Sequence, residues 1–162
     1  MANNKDFSKK LSKYANQLKK LSNSEVVVGI PQDKNKEHSS TKSNGSSTVA
    51  EVGATHEYGV PQAGIPQRSF LRVPLSTNSD KIFKSLEKNL KFSKINTKKA
   101  LGKLGAMGMS IVLEAFKTEG EGSWKSLSDS TKEARKKGGG GAKILSDTGQ
   151  LKQSITFEVR NT

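Results

Sequence analysis

The chain has 162 residues, a length that fits one domain over residues 1–162. Only 31% of them are hydrophobic, which predicts a modest core. The absence of cysteine excludes a disulfide framework and thiolate metal sites, and it is compatible with a reducing cytoplasm. No apolar run approaches the ~20 residues of a membrane span, and the first residues lack the apolar centre of a secretory signal, so we expect neither.

The formal net charge of +13 is concentrated in two segments of the chain. Residues 1–24 contain six lysines and one aspartate, and residues 81–103 contain eight lysines and one glutamate. Arginine, whose planar fork suits phosphate and base recognition, occurs only four times. The two lysine-rich segments therefore indicate either solvated helix faces or helices that bind nucleic-acid phosphates.

The first predicted elements are an amphipathic helix and a strand. Ser22 to Ser24 ends the helix, and the β-branched residues 25–30 predict a strand that Pro31 stops. The apolar residues of the helix recur at steps of three and four, which places them on one stripe: Phe7, Leu11, Tyr14, Leu18 and Leu21.

Two segments are predicted to be flexible. Residues 31–49 are expected to form a long, mobile polar loop, because residues 32–48 contain no large apolar side chain. Residues 138–143 are glycine-rich and are expected to form a flexible tract. Partner contacts are expected in loops 31–49 and 117–125 and in the basic tract 132–143, with these candidate interface residues: Lys34, Lys36, Lys42, Glu119, Glu121, Lys136 and Lys137.

The middle of the chain predicts a short helix followed by an extended segment. Residues 49–58 fit the helix, and Gly59 can end it with a left-handed cap. Two prolines hold residues 60–72 extended, and Phe70 and Leu71 are expected to anchor this segment in the core.

Two helices are predicted next. Ser79 caps the first, and after a break near residues 93–96 Thr97 caps a longer helix that ends at about Thr118. Three glycines recur on the longer helix at steps of three, which indicates either close approach of a second helix or simple looseness: Gly102, Gly105 and Gly108. The buried positions expected on the two helices are Ile82, Phe83, Leu86, Leu90, Leu101, Leu104, Met107, Ile111, Val112, Ala115 and Phe116.

The remaining segments complete an α+β pattern. Ser128 is expected to cap a short basic helix that ends at Lys137. Residues 145–151 are expected to form a turn that leads into one helical turn, and residues 154–160 are expected to form a strand. Trp124 suits the core and an interface equally. We therefore expect a small β-sheet packed against several helices, with the sheet completed by an unrecognised strand or by another subunit.

No convergent catalytic or metal-binding set is visible in the sequence. His56-Glu57 begins like a zinc-protease motif, but the second histidine is missing, and the only other histidine is His38. Two glutamates in a glycine-rich turn do not offer the separated environments of an acid–base pair. Asp147 is expected to be a helix N-cap. We therefore expect no cofactor, no metal and no enzymatic activity.

Four short segments, in this order and spacing, resemble the virion-morphogenesis and tail-completion proteins of tailed bacteriophages. The resemblance covers roughly residues 50–160, although the chain ends sooner after its final strand than many members do, so a further strand is absent or swapped with a neighbour. The segments are residues 54–59 (ATHEYG), 65–72 (IPQRSFLR), 124–135 (WKSLSDSTKEAR) and 145–155 (LSDTGQLKQSI).

The resemblance implies an α+β subunit of the neck or head-proximal tail end. Such proteins act as rings, expected here to be hexameric, that cap the tail tube or join the tail to the DNA-filled head. The implied partners are other copies of the chain, the tail tube and the head–tail connector, with non-specific contact to phage DNA, and the implied location is the virion, with the host cytoplasm during assembly. The segments also suggest structural anchors: His56, Tyr58, Phe70, Leu71, Trp124, Leu145 and Leu151.

Overall fold

A computed structural model describes residues 2–38, 47–91, 96–137 and 143–162. The middle of the predicted loop, with Lys42, most of the predicted break at 93–96 and most of the glycine tract lie outside the described residues. In chain order the elements are α1 Ala2–Ser22, β1 Ser24–Gly29, α2 Val49–Tyr58, α3 Arg72–Thr77, α4 Ser79–Lys91, α5 Thr97–Thr118, α6 Asp129–Lys137, α7 Gln150–Ser154 and β2 Thr156–Asn161.

The two predicted strands pair with each other and confirm the α+β fold class. They are antiparallel, with Ser24 opposite Asn161 and Gly29 opposite Thr156. The described part of the chain adds no third strand to this sheet. A single small sheet, formed by residues from distant parts of the sequence, therefore lies among helices.

Two of the three glycines on α5 allow the sheet, and not another helix, to approach closely. A Cβ atom built on Gly105 would lie 2.8 Å from Cε2 of Phe157 and closer still to two other atoms of that ring. One built on Gly108 would lie 2.9 Å from Cγ2 of Val28. A Cβ atom built on Gly102 would meet no other atom within 4 Å. Gly105 and Gly108 therefore permit the close approach of the sheet, whereas Gly102 makes no such contact.

The hydrophobic core lies between α5, α2 and the loops before α3 and α6. Phe70, Phe116, Val49 and Val112 are fully buried in it. The ring of Phe116 lies 5.0 Å from that of Phe70 and 5.9 Å from that of Trp124, in an edge-on arrangement with the latter. The edge-on contact of Phe116 with Trp124 is one of the favoured geometries for aromatic pairs.

The described ends of loop 31–49 are hydrogen-bonded and not structureless as expected. Residues Gln32–Lys34 form a 3-10 turn, and Glu37 forms an antiparallel bridge with Thr48. The Asn35 side chain accepts a hydrogen bond from the main-chain N–H of Ala50 at 2.8 Å. Hydrogen bonds between main-chain groups therefore hold the two ends of the loop together.

Several local predictions need correction. Helix α3 was not predicted, since Pro74 lies inside its short span, where it still fits the first turn. Asn96, and not Thr97, caps α5 by accepting a hydrogen bond from the N–H of Lys99. Gly59 has a positive φ of 73° but an extended ψ of 164°, so it ends α2 without a left-handed cap.

Apolar side chains on two helices are exposed to solvent. Phe83 of α4, predicted to be buried, is 67% exposed. The stripe of α1 is also uncovered, with Leu11 59%, Tyr14 44% and Leu18 62% exposed. Periodicity placed these side chains on one helix face correctly, but it does not say whether the same chain covers that face.

Candidate functional site

Two of the segments that resemble the phage proteins, 54–59 and 65–72, meet at one buried carboxylate, that of Glu57. Helix α2 presents it from its last turn, after a capping box between Thr48 and Glu51 has fixed where the helix begins. Glu57 is only 4% exposed. Its oxygens accept hydrogen bonds from the Ser69 hydroxyl at 2.5 Å and from the main-chain N–H groups of Phe70, Leu71 and Arg72 at 2.8, 2.9 and 3.0 Å.

This carboxylate acts as a cap for α3, supplied by a different helix. The first N–H groups of a helix have no partner within it and carry partial positive charge, so an anion there is favourable. The Ser69 hydroxyl adds a second bond, accepting from the N–H of Val73 at 3.0 Å. Glu57 and Ser69 together therefore tie α2 to the start of α3 and hold Phe70 in the core.

Arg68 links the same segment to the turn that precedes α6. Its Nε and Nη2 donate to the main-chain oxygen of Lys125 at 3.1 and 3.0 Å, and its own N–H donates to the oxygen of His56 at 2.7 Å. The residue is 6% exposed, and burial, followed by the charge of Arg135, lowers the pKa of Arg68. The guanidinium thus fastens two loops through main-chain acceptors.

Trp124 also bonds to the segment that contains Arg68 and Ser69. Its indole N–H donates to the main-chain oxygen of Ser69 at 3.3 Å, and its ring packs edge-on against Phe116. The turn before it contains two non-glycine residues in the left-handed region, Glu119 at φ 54° and Glu121 at φ 55°. Glu119 also accepts a hydrogen bond from the N–H of Ile144 at 2.8 Å. The turn is therefore held on both sides by tertiary contacts.

His56 borders a small cavity of about 100 Å³ that His38, Arg135 and Asp147 also line. Its Nδ1 is buried and has no hydrogen-bond partner among the described residues. Burial, then the charges of Arg68 and Arg135, lowers the pKa of His56 to about 4. The imidazole is therefore neutral at pH 7. Asp147 lies 3.5 Å from Arg135 Nε, and Gly149, not Asp147, is the N-cap of α7.

The arrangement around the cavity does not form a catalytic set. A nucleophile needs a base within hydrogen-bond reach, and the base needs a third group to orient it. The His56 nitrogen has no such partner, and the Thr148 hydroxyl accepts from the N–H of Gln150 at 3.3 Å. The described residues contain no group of three or more metal-ligating side chains. Among them, no helix is both long enough and apolar enough to cross a membrane.

Most of the predicted anchors lie where expected. Phe70, Trp124, Leu145 and Leu151 are buried, while Leu71 and His56 are half-buried. Tyr58 is wrong as an anchor, since it is 66% exposed. It follows the buried Glu57 directly, and successive helical side chains diverge by about 100°, which turns Tyr58 away from the core.

The predicted interface residues divide into three groups. Lys34, Lys36, Glu121, Lys136 and Lys137 are exposed and available to a partner. Glu119 is half-buried and its carboxylate bonds within the chain, so it serves the fold and is not a free contact residue. Lys42 lies outside the described residues.

Sequence reasoning missed the two charged residues at the centre of the assembly, Glu57 and Arg68. The signal was available in part, because Glu57 lies two residues before Gly59 and Arg68 two residues before Phe70, a predicted core anchor. A buried charge must be bonded, so a charge within such a segment indicates a tertiary bond.

A basic groove lies away from this assembly, between the end of α1, the start of α5 and β2. Its volume is about 810 Å³, and its lining includes Lys19, Lys20 and Lys98 but no acidic side chain. The two lysine-rich segments noted in the sequence thus meet at one place in the fold.

Comparison of the chain with protein-family models, with curated proteins and with solved structures gave no match in any of the three.

Proposed function

We propose that the chain is a structural subunit of a tailed-bacteriophage virion that assembles as a ring, hexameric by the resemblance, at the neck or head-proximal end of the tail. There it completes or terminates the tail and joins it to the head. Its partners are other copies of itself, the tail tube and the head–tail connector. It acts without enzymatic turnover and without a cofactor.

The observation that carries this proposal is the two-stranded sheet. Within the described residues β1 and β2 pair only with each other, so each keeps one edge with no strand beside it. Two strands are marginal as a sheet, and an open edge is a template for a strand of another chain. A strand from a neighbouring copy would complete the sheet and repeat around a ring.

The bonding around Glu57 supports a structural reading of the shared segments. Glu57, Arg68 and Trp124, which link segments 54–59, 65–72 and 124–135, bond to main-chain groups. Side chains bonded in this way fix a fold. The likeness to tail-completion proteins therefore rests on residues that build a scaffold.

The test is the location of the protein in purified phage particles. Antibody-labelled electron microscopy should show the protein at the neck or head-proximal tail end, and its solution mass with isolated tails should correspond to a ring. Absence from mature particles, or turnover of a substrate by the isolated chain, would contradict the proposal.

The loop 31–49 offers a second test of the same proposal. Deleting residues 39–46 keeps the buried Val49 and the Asn35 bond to α2. We expect this variant to fold and to lose joining of heads to tails, assayed by mixing heads and tails in vitro. Normal joining by the folded variant would remove the loop from the interface.

The second candidate function is binding of nucleic-acid phosphates, which the basic groove favours. Lysines from two distant segments line it, and no acidic side chain is part of its lining. Neutralised phosphates release counterions, so duplex affinity should fall steeply and linearly on logarithmic axes as salt rises.

A matched pair of variants separates groove binding from general attraction to a basic protein. Changing Lys19, Lys20 and Lys98 to Glu should abolish duplex binding measured by fluorescence anisotropy. Changing the exposed Lys34, Lys36 and Lys125 to Glu alters the net charge equally and should weaken it much less. Equal losses would show that the groove has no special role.

A further inference from the structure

Helix α1 keeps its polar side towards the rest of the chain and leaves its apolar side uncovered. Asn16, Lys19 and Lys20 line the groove that α1 shares with α5 and β2. On the other side of the helix Leu11 and Leu18 are more than half exposed. An amphipathic helix normally buries its apolar side, so this orientation marks the stripe as a contact surface for another molecule.

The spacing of the apolar residues indicates that the other molecule is a helix. From Phe7 to Leu21 they recur in strictly alternating steps of four and three, and this span contains no other large apolar residue. Such a narrow stripe with a period of 3.5 residues is the seam of a coiled coil, whereas a helix on a globular core usually carries a broader stripe. In heptad notation Leu11 and Leu18 are a positions, and Phe7, Tyr14 and Leu21 are d positions.

The charges beside this seam select a second copy of α1 as the partner helix. The e and g positions flank a seam and decide which helix it accepts. A seam that accepts an acidic helix would carry lysines at these positions, but four of the five lysines in residues 8–22 lie at b, c or f positions, away from the seam. The e and g positions are almost uncharged and are occupied by Ser8, Lys10, Ala15, Gln17 and Ser22.

We propose that α1 pairs with α1 of a second copy of the chain in a short coiled coil, through the seam that runs from Phe7 to Leu21. In a parallel pair Lys10 faces Ala15 of the other helix, and in a fully overlapping antiparallel pair it faces Gln17. In neither direction do two lysines oppose each other across the seam, because the remaining lysines point outwards. The charge pattern of α1 is therefore compatible with contact between two identical helices.

The seam is short, so this pair is expected to be weak by itself. A few side chains from each copy cover much less than the ~1,200–2,000 Å² of a standard stable interface. A contact between identical surfaces also closes on itself and joins copies in twos, so it cannot build a ring. The inference thus goes beyond the proposed function, and the pairing of α1 is separate from completion of the sheet.

Disulfide trapping tests the pair directly, because the chain has no cysteine of its own. Tyr14→Cys places a thiol at the middle of the seam, beside its counterpart in either direction, and Asn16→Cys places one on the opposite side of α1. Both side chains are exposed, so folding should be preserved. After mild oxidation of the full chain we expect at least about tenfold more cross-linked dimer from Tyr14→Cys, since cysteines with Cα atoms more than about 7 Å apart cannot be bridged.

A second measurement uses the strength of association. Leu18→Glu should weaken dimerisation by roughly tenfold or more, because each helix loses a leucine contact and brings a carboxylate into an apolar seam. Asn16→Glu changes the net charge equally but lies outside the seam, so its effect should be much smaller. Solution mass against concentration provides the values, and circular dichroism verifies the fold of both variants.

The outcomes separate this inference from the proposed ring. Absence of the Tyr14→Cys cross-link, equal cross-linking of Asn16→Cys, or dimerisation that Leu18→Glu leaves unchanged would overturn the pairing of α1. Rings that form on isolated tails without the Tyr14→Cys cross-link would overturn the pairing and leave the ring proposal intact. The cross-link in a protein that forms no ring on isolated tails would support the pairing and contradict the ring.

Discussion

The carboxylate of Glu57 holds together parts of the chain that are far apart in sequence. It accepts four hydrogen bonds while only 4% exposed, and three of its donors are main-chain N–H groups at the start of α3. Only proline removes a main-chain N–H, and it also restricts the backbone, so the acceptor is the more informative residue to alter. Arg68 has the converse role, since it donates to a main-chain oxygen.

We predict that Glu57→Gln lowers the free energy of unfolding by about 2–3 kcal/mol, because an amide NH₂ replaces a carboxylate oxygen opposite buried donors. Urea denaturation at pH 7 provides the measurement. Glu51→Gln on the same helix is the control, since Gln also serves in a capping box and should cost less than about 0.5 kcal/mol. Equal costs would contradict this account of Glu57.

His56 should make stability depend on pH. Its pKa falls from 6.5 to about 4 on folding, so the unfolded chain binds the extra proton between these values. The neutral imidazole therefore contributes fully to the free energy of unfolding above pH 6.5, and this contribution is lost as the pH falls towards 4. Allowing for partial exposure, we expect a loss on the order of 2 kcal/mol in this window.

The measurement is urea denaturation of the protein and of His56→Gln at pH 7 and pH 4.5. Between pH 7 and pH 4.5 the free energy of unfolding should fall less for His56→Gln than for the unchanged protein. His38→Gln keeps His56, so its free energy of unfolding should fall as much as that of the unchanged protein. A difference that stays constant with pH would show that His56 is not the group responsible.

Individual residues were predictable where packing alone decides their position. Phe70 was expected in the core and lies there, the predicted anchor Leu151 is buried, and Trp124, which suited the core and an interface equally, is buried in the core. Glu57 was not recognised, because its partners come from a segment whose approach depends on the tertiary fold. Tyr58 was misplaced because the apolar character of a helical residue near a helix end does not fix which way it faces.

At the scale of elements, α5 shows how one helix can serve contacts of different kinds. Gly105 and Gly108 admit Phe157 and Val28 of the sheet, while Val112 and Phe116 fill the core. Glycine weakens a helix interior by up to ~1 kcal/mol relative to alanine, so its presence there has to be offset by packing. The two kinds of glycine on α5 should respond oppositely to substitution.

We predict that Gly105→Ala destabilises the fold by about 1–3 kcal/mol, because the new methyl group would overlap the ring of Phe157. Gly102→Ala should stabilise it by up to ~1 kcal/mol, since nothing lies in the way of the added carbon. Thermal and urea unfolding of the two variants give the comparison. The same sign for both would show that the sheet does not constrain α5.

Element positions were largely predictable, but the coverage of their faces was not. Hydrophobic periodicity located α1, α5 and the two strands to within a few residues. It could not show that the stripe of α1 stays exposed or that Phe83 faces solvent, since both depend on which neighbour the element meets. The short α3 was missed because it contains Pro74 and because the acceptor at its N-terminus is a side chain from another helix.

At the scale of the whole molecule, the excess of positive charge should oppose compaction. The net charge is +13, and lysines from α1 and the start of α5 meet around one groove. Like charges held together in a folded chain repel more than in an extended one, and salt screens this repulsion over about 10 Å at 0.1 M.

We therefore predict that the midpoint of thermal unfolding rises by about 2–5 °C between 0.02 M and 0.2 M NaCl. Replacing Lys9, Lys10, Lys13, Lys19 and Lys20 by Gln should flatten this dependence. Differential scanning calorimetry provides the midpoints. A midpoint that falls with salt would mean that favourable ion pairs outweigh the repulsion.

The pairing of β1 with β2 also governs when this chain can finish folding. Ser24 pairs with Asn161, so nearly every other element is synthesised between the two strands. A contact between such distant residues requires closure of a long loop and forms late. On the ribosome, β1 cannot pair within its own chain until residues 156–161 have emerged, so a nascent chain cannot join its neighbours by this sheet before that point.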